Sequence, residues 1–176
     1  SRRLTGPNLF WDWPGAILDI AIDDIPADLV ISAWSEEVTR LMEAMGWNAE
    51  NICSRVYEGG ASLVINAPID VLYAACELNE VALNRAVAGL LDKPPSDLND
   101  AMSILAAQVA KESDRGLLAL HEAAARFHKP FLWDDDEVSV GFGKTAIVWP
   151  ADRLPAPDTI NWQDVGSIPL GIVTGT

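Results

Sequence analysis

Apolar residues at positions 30, 34, 38, 41 and 45 (Val30, Trp34, Val38, Leu41, Met45) recur at four, four, three and four, which draws one stripe along a helix over residues 26–45. Pro26 suits its first turn and Gly46 its stop, while Asp28, Glu36 and Glu37 fall on solvated faces. Ahead of it, residues 16–22 read as a strand, apolar except for Asp19 and followed by an Asp23-Asp24 turn. Behind it come strands over 52–57 and 62–66, joined by Glu58-Gly59-Gly60-Ala61. A Gly-Gly pair between β-prone runs predicts a hairpin, hence an antiparallel pair.

Pro68 opens a second helix to about residue 91, with a core stripe of Leu72, Cys76, Leu83, Val87 and Leu90. On another of its faces Asp70, Glu77, Glu80 and Asn84 lie within roughly 80 degrees at about 100 degrees per residue. After the rigid Lys93-Pro94-Pro95-Ser96 connector, Ser96 or Asp97 caps a third helix over about 98–128. Leu98, Ala101, Leu105 and Val109 form one face, continued by Leu117, Leu120, Ala124 and Phe127, with Gly116 as the point where it bends or splits. Strands follow at 131–133, 138–140 and 144–149, with a hairpin turn at Gly141-Phe142-Gly143. Residues 150–167, holding Pro155 and Pro157, read as a linker to a last apolar strand, 170–173, which ends in Thr174-Gly175-Thr176. The opening residues 1–15 are a Gly-, Pro- and Trp-rich loop with a short strand through Arg3 and Leu4, its Trp11 and Trp13 capping one end of the core. These elements predict an α+β fold: a two-layer sandwich, with a mixed sheet of about five or six strands and three helices mainly on one face. Residues 1–150 form that domain and 151–176 lead out of it.

Charge narrows the partners. Twelve Lys+Arg against 26 Asp+Glu give a net charge of -14 over 176 residues, a surface that repels nucleic-acid phosphates and anionic lipid and suits a basic substrate. Cys53 and Cys76 lack CxxC spacing and a histidine cluster, so they read as buried free thiols of a reduced, cytoplasmic protein. No apolar run is long enough to span a bilayer.

Candidate chemistry is sparse. His121 and His128, seven residues apart, face the same way on a continuous helix but have no third ligand at metal spacing. Asp134, Asp135, Asp136 and Glu137 offer hard oxygen donors for Ca²⁺ or Mg²⁺, yet lack the EF-hand alternation and read as an acidic turn. Gly141-Phe142-Gly143 lacks the third glycine of a dinucleotide loop. No nucleophile with its base and no complete phosphate loop is present.

The run Val173-Thr174-Gly175-Thr176 resembles the start of the nucleotide loop of Mur-type amide ligases, where it continues as Asn-Gly-Lys and then Thr or Ser. Leu4-Thr5-Gly6-Pro7-Asn8, the Tyr57-Glu58-Gly59-Gly60 turn and the long helix with Glu77 and Glu80 resemble, in the same order, the N-terminal domain of cyanophycin synthetase and its Mur-ligase-like relatives. The likeness is scattered over about half the chain. An ATP-grasp domain that stands after this domain in cyanophycin synthetase has no counterpart here, so the same substrate does not follow. The resemblance implies an ATP-dependent amide ligase in which Mg²⁺-bound ATP phosphorylates a carboxylate and an amine then displaces the phosphate. It implies a non-catalytic role for this domain, which holds an amino-acid, peptide or polymer substrate, basic on charge grounds, for a Mur-type catalytic domain in cis. Asn8, Tyr57, Glu58, Gly59, Gly60, Asp70, Glu77 and Glu80 would meet the substrate, and Thr174, Gly175 and Thr176 would begin the nucleotide loop. No cofactor is expected in the chain itself, with ATP and Mg²⁺ expected for the parent ligase. Two other readings stand beside this one: an interaction or self-associating module using the Trp11/Trp13 loop, and a small metal-dependent enzyme using Asp134 to Glu137.

Overall fold

Residues 1–49 and 51–166 are described by a computed structural model, and they form four α-helices and two antiparallel sheets, an α+β fold. The chain divides into two compact units, Ser1–Ser113 and Asp114–Thr176. The boundary expected near residue 150 thus falls inside the second unit.

In the first unit, β1 (Arg2–Leu4), β2 (Gly15–Ala21), β3 (Ile52–Tyr57) and β4 (Gly60–Asn66) form a sheet of order β1-β2-β4-β3, antiparallel throughout. The central β4 is buried along nearly its whole length, which is why Ala-Ser-Leu-Val-Ile reads as a continuous run; the edge strand β3 is largely exposed. The register sets Asp19 opposite Ser62 and Arg55 opposite Ser62 from the other side. These three therefore share one face, where the Ser62 hydroxyl donates to Asp19 at 2.6 Å and Arg2 at 2.7 Å completes the group. Leu18 and Leu63 point to the opposite face.

Helix α1 (Ala27–Ala44) buries Val30, Trp34, Val38, Leu41 and Met42, so the predicted stripe holds, with Met45 moved out to the cap and Gly46 turning the chain at φ +71. The second helix begins with a 3-10 turn, Ile69–Val71, before α2 (Leu72–Leu90). Its buried face is only in part the expected one: Leu72 is inside as expected, together with Ala75, Leu78, Asn79, Ala82 and Ala86, whereas Cys76, Leu83, Val87 and Leu90 are half-buried. Packing against both α1 and the sheet favours small side chains, because they let backbones approach closely. The buried Asn79 is satisfied on both sides, accepting from Trp34 Nε1–H at 2.8 Å and donating to the Leu63 carbonyl at 3.0 Å. Arg85, 6% exposed, donates to Glu37 at 2.8 Å and to the Ser96 carbonyl, and Arg40 meets the same carboxylate at 2.9 Å. Glu37 is thus not a solvated residue; it ties α1 to α2.

The third expected helix is two, α3 (Leu98–Glu112) and α4 (Arg115–Arg126). Asp114 makes the break, its carboxylate accepting from the N–H groups of Gly116 at 2.8 Å and Leu117 at 3.1 Å as an N-cap. Gly116 is a beneficiary of that cap rather than the hinge.

The second unit pairs β5 (Phe131–Trp133), β6 (Glu137–Val140) and β7 (Ile147–Pro150) into a small sheet of order β5-β6-β7. The single mixed sheet expected from the sequence is therefore two antiparallel ones; in this second sheet the connections are too short for the crossover that parallel pairing needs. Residues 151–166 are not a free-running linker. Trp162 and Val165 are buried, Lys129 donates to the Val165 carbonyl at 2.6 Å, and Phe142 N–H donates to Gly166 at 3.0 Å. The last strand expected at 170–173 lies outside the described residues.

Candidate functional site

β2 leaves the sheet through Ile22-Asp23-Asp24-Ile25 on its way to α1, and this turn forms the mouth of a cavity of about 330 Å³. Ile20, Ile22, Ile25 and Val30 line it from one side and Leu83, Val87 and Leu91 of α2 and its end from the other. Leu83 and Val87 are part of the apolar stripe that the sequence assigned to the core; Leu91, just past the end of α2, is not. The helix buries Ala74, Ala75, Ala82 and Ala86 with Leu72 and Leu78, and Leu83 and Val87 face the cavity. Asp23 and Asp24 are exposed at its edge, and neither is ion-paired among the described residues. An aliphatic lining with carboxylates and no cation suits a ligand that carries both an alkyl portion and a positive charge.

The Gly-Gly hairpin stands at the same end of the sheet. Tyr57 pairs with Gly60, so the loop is only Glu58 and Gly59, shorter than the four residues expected. Gly59 sits at φ +79, the value a type II turn requires at its second central residue. A Cβ on Gly60 would lie 2.2 Å from the Ile20 carbonyl and 2.8 Å from the Tyr57 ring, so only glycine lets β4 run this close. Ile22 N–H donates to the Gly59 carbonyl at 3.1 Å, and the Tyr57 hydroxyl donates to the Ile20 carbonyl at 3.3 Å. These two bonds fasten the turn, with the exposed Glu58 at its tip, to the strand whose end lines the cavity.

The other expected site residues are placed elsewhere. Asn8 organises its own loop: its side-chain oxygen accepts from Phe10 and Trp11 N–H at 2.9 and 3.3 Å, and its amide nitrogen donates to Gly6 and Trp13 carbonyls at 3.1 and 3.2 Å. With both lone pairs and both hydrogens engaged, Asn8 has no capacity left for a substrate. Trp11 is half-buried with its Nε1–H enclosed and lacking a partner, while Trp13 and Leu9 are exposed, Leu9 at 89%. Asp70 lies in the 3-10 turn and is buried, so it does not belong to a helical face with Glu77 and Glu80. Glu80 is exposed and meets the Ser1 hydroxyl; Glu77 is half-buried. The acidic face expected on α2 is thus reduced to Glu77 and Glu80. Thr174, Gly175 and Thr176 lie outside the described residues.

Three titratable side chains away from the cavity are shifted by their surroundings. The Ser62 hydroxyl, helped by Arg2, holds Asp19 below its ordinary carboxylate value. Burial pushes the Cys76 thiol up, and both cysteines are free and half-buried. Burial pushes His121 below its ordinary value, the imidazole standing edge-on to Phe131 at 5.0 Å. His128 lies beyond the end of α4 at φ +52, so the two histidines do not share a helical face. Asp134 accepts from the N–H groups of Asp136 at 3.0 Å and Glu137 at 2.9 Å, which makes the acidic run a self-capped turn. Among the described residues no three His, Cys, Asp or Glu side chains gather where they could hold a metal ion. Nor is any helix among them long and apolar enough to cross a membrane.

In the sequence Asp23-Asp24 reads only as a turn, and Leu83 and Val87 only as core. The available signal was a pair of carboxylates set between an apolar strand and an apolar helix. Comparison with known proteins adds no assignment: no protein-family model matches the chain, and no curated protein matches it significantly.

Proposed function

We propose that this chain binds and positions an amine-bearing substrate for an ATP-dependent carboxylate-amine ligase of Mur or cyanophycin synthetase type, and performs no catalysis by itself. One observation carries the reading. The Gly-Gly hairpin on which the resemblance rests is fastened through Ile22 and Tyr57 to the strand end that lines the cavity, beside Asp23 and Asp24. In such a ligase the nucleophile is an amine. A substrate ammonium group can rest against these carboxylates while its alkyl portion fills the space between β2 and α2. The net charge of -14 favours the approach of a basic peptide or polymer over longer range. ATP and Mg²⁺ belong, in this reading, to the Mur-type domain that acts on the same substrate.

Two measurements test it. Calorimetry of the chain with lysine- or arginine-containing peptides should give saturable binding that Asp23→Asn and Asp24→Asn together weaken by about tenfold, the loss of one charge-assisted contact. Binding unchanged in that variant removes the cavity from the proposal. ATP turnover by these residues alone would remove the non-catalytic role.

A second reading has its own observation. Leu9 and Trp13 project from a loop that Asn8 makes rigid, the form of a protein-docking knob. Under that reading Leu9→Ser abolishes capture of the partner or second copy and leaves peptide binding intact.

A further inference from the structure

A second cavity, of about 520 Å³, lies within the other unit and plays no part in the function proposed above. Its floor is aromatic. Phe127 and Trp162 stack with centroids 5.0 Å apart and planes 8° from parallel. Trp162 is only 6% exposed and its indole N–H is satisfied by the Pro157 carbonyl at 2.9 Å, so the lower ring is fixed and its polar group is spent. Phe127, which the helical stripe assigned to the core, caps α4 and is 47% exposed. The structure thus presents an uncovered aromatic face above a rigid one.

Two charges flank this platform. Arg126, the last residue of α4, and Asp158, in the 3-10 turn Pro157–Thr159, both line the cavity. They are not paired with each other, and neither makes an ion pair with any other described residue. A lone anion drawn to Arg126 would meet the Asp158 carboxylate, and a lone cation drawn to Asp158 would meet the guanidinium. A ligand with both charges avoids either repulsion. The guanidinium fork matches a carboxylate, the aspartate accepts from an ammonium group, and an apolar ring is held by stacking.

We propose that this cavity binds a free α-amino acid with an aromatic side chain: carboxylate on Arg126, ammonium on Asp158, ring on Phe127. Its volume falls in the range of small-molecule sites. The site needs nothing from the β2–α2 cavity, so it stands or falls independently of the ligase reading.

The test is calorimetry of the full 176-residue chain with three probes: L-phenylalanine, N-acetyl-L-phenylalanine, which lacks the ammonium, and L-phenylalaninamide, which lacks the carboxylate. L-Phenylalanine should bind saturably, and each blocked analogue should bind at least about tenfold more weakly, as expected for losing a charge-assisted hydrogen bond. Asp158→Asn should abolish the preference for L-phenylalanine over the N-acetyl form and keep the preference over the amide. Arg126→Gln should do the reverse. Both side chains are exposed, so thermal unfolding should match the wild type, and Phe127→Ala should weaken all three probes together. Equal affinity for the three probes, the same discrimination in both charge variants, or no saturable heat up to about 10 mM amino acid would overturn the proposal. So would self-association of the chain that Phe127→Ala dissolves, since the platform would then serve a second copy.

Discussion

Two tryptophans show how differently one residue type behaves according to what its N–H meets. Trp34 is fully buried, its indole N–H satisfied by Asn79, which in turn holds the Leu63 carbonyl. Asn79→Ala strands that donor and opens a cavity, so denaturant unfolding should show a loss of about 3 kcal/mol. Trp11 already encloses an unsatisfied N–H, and Trp11→Phe removes the unpaired donor along with some ring area. That variant should change stability by less than about 1 kcal/mol, because the two effects oppose. His121 supplies a pH dependence. Its folded pKa lies below the ordinary 6.5, so its contribution is complete above that value and is lost as pH falls through the folded pKa. Unfolding midpoints measured between about pH 7 and pH 5 should fall in the wild type and fall less in His121→Phe, which keeps an aromatic against Phe131. An equal slope in the two proteins would show that burial of the imidazole is not what sets it. At this scale the sequence was least informative about polar residues: Asn79, Arg85 and Glu37 look like surface positions until partners as far as 48 residues away are known.

Among the elements, the β3-β4 hairpin is the one whose chemistry was legible, and its two glycines act for different reasons. Gly59 adopts a positive φ with open space around it, whereas Gly60 is hemmed in by the Ile20 carbonyl and the Tyr57 ring. Gly59→Ala should therefore cost about 1 kcal/mol, the strain of a left-handed alanine, and Gly60→Ala distinctly more, because β2 or Tyr57 must shift. Equal losses in thermal or denaturant unfolding would contradict that ranking. The helix α1 was legible for a related reason: one stripe of large apolar residues meets one surface. In α2 the predicted stripe and the buried face agree only at Leu72, because a helix enclosed on two sides buries four alanines beside Leu72 and Leu78 and leaves Leu83 and Val87 to line a cavity. The break between α3 and α4 turned on a single carboxylate, Asp114, in a stretch whose apolar period runs on unbroken.

At the level of the molecule, unit Ser1–Ser113 contains a sheet, three helices and a core around Trp34, Leu63 and Leu78, all contributed by its own residues. A fragment of residues 1–113 should fold cooperatively and keep the dispersed amide spectrum of those residues; a collapsed, undispersed spectrum would show that the unit is not self-sufficient. The sequence by itself determined the α+β class, the position of nearly every strand, the hairpin at Gly59 and the acidic surface. These follow from period, turn chemistry and charge count, all of which are local or additive along the chain. Tertiary structure alone decided that the strands form two sheets and that α2 turns its alanines inward. It likewise joined Asp23 and Asp24 to an aliphatic cavity and brought Arg126, Phe127, Asp158 and Trp162 around another. The reason is physical: a cavity is the space that packing leaves between elements distant in sequence, and no period along one segment records what the other will leave unfilled.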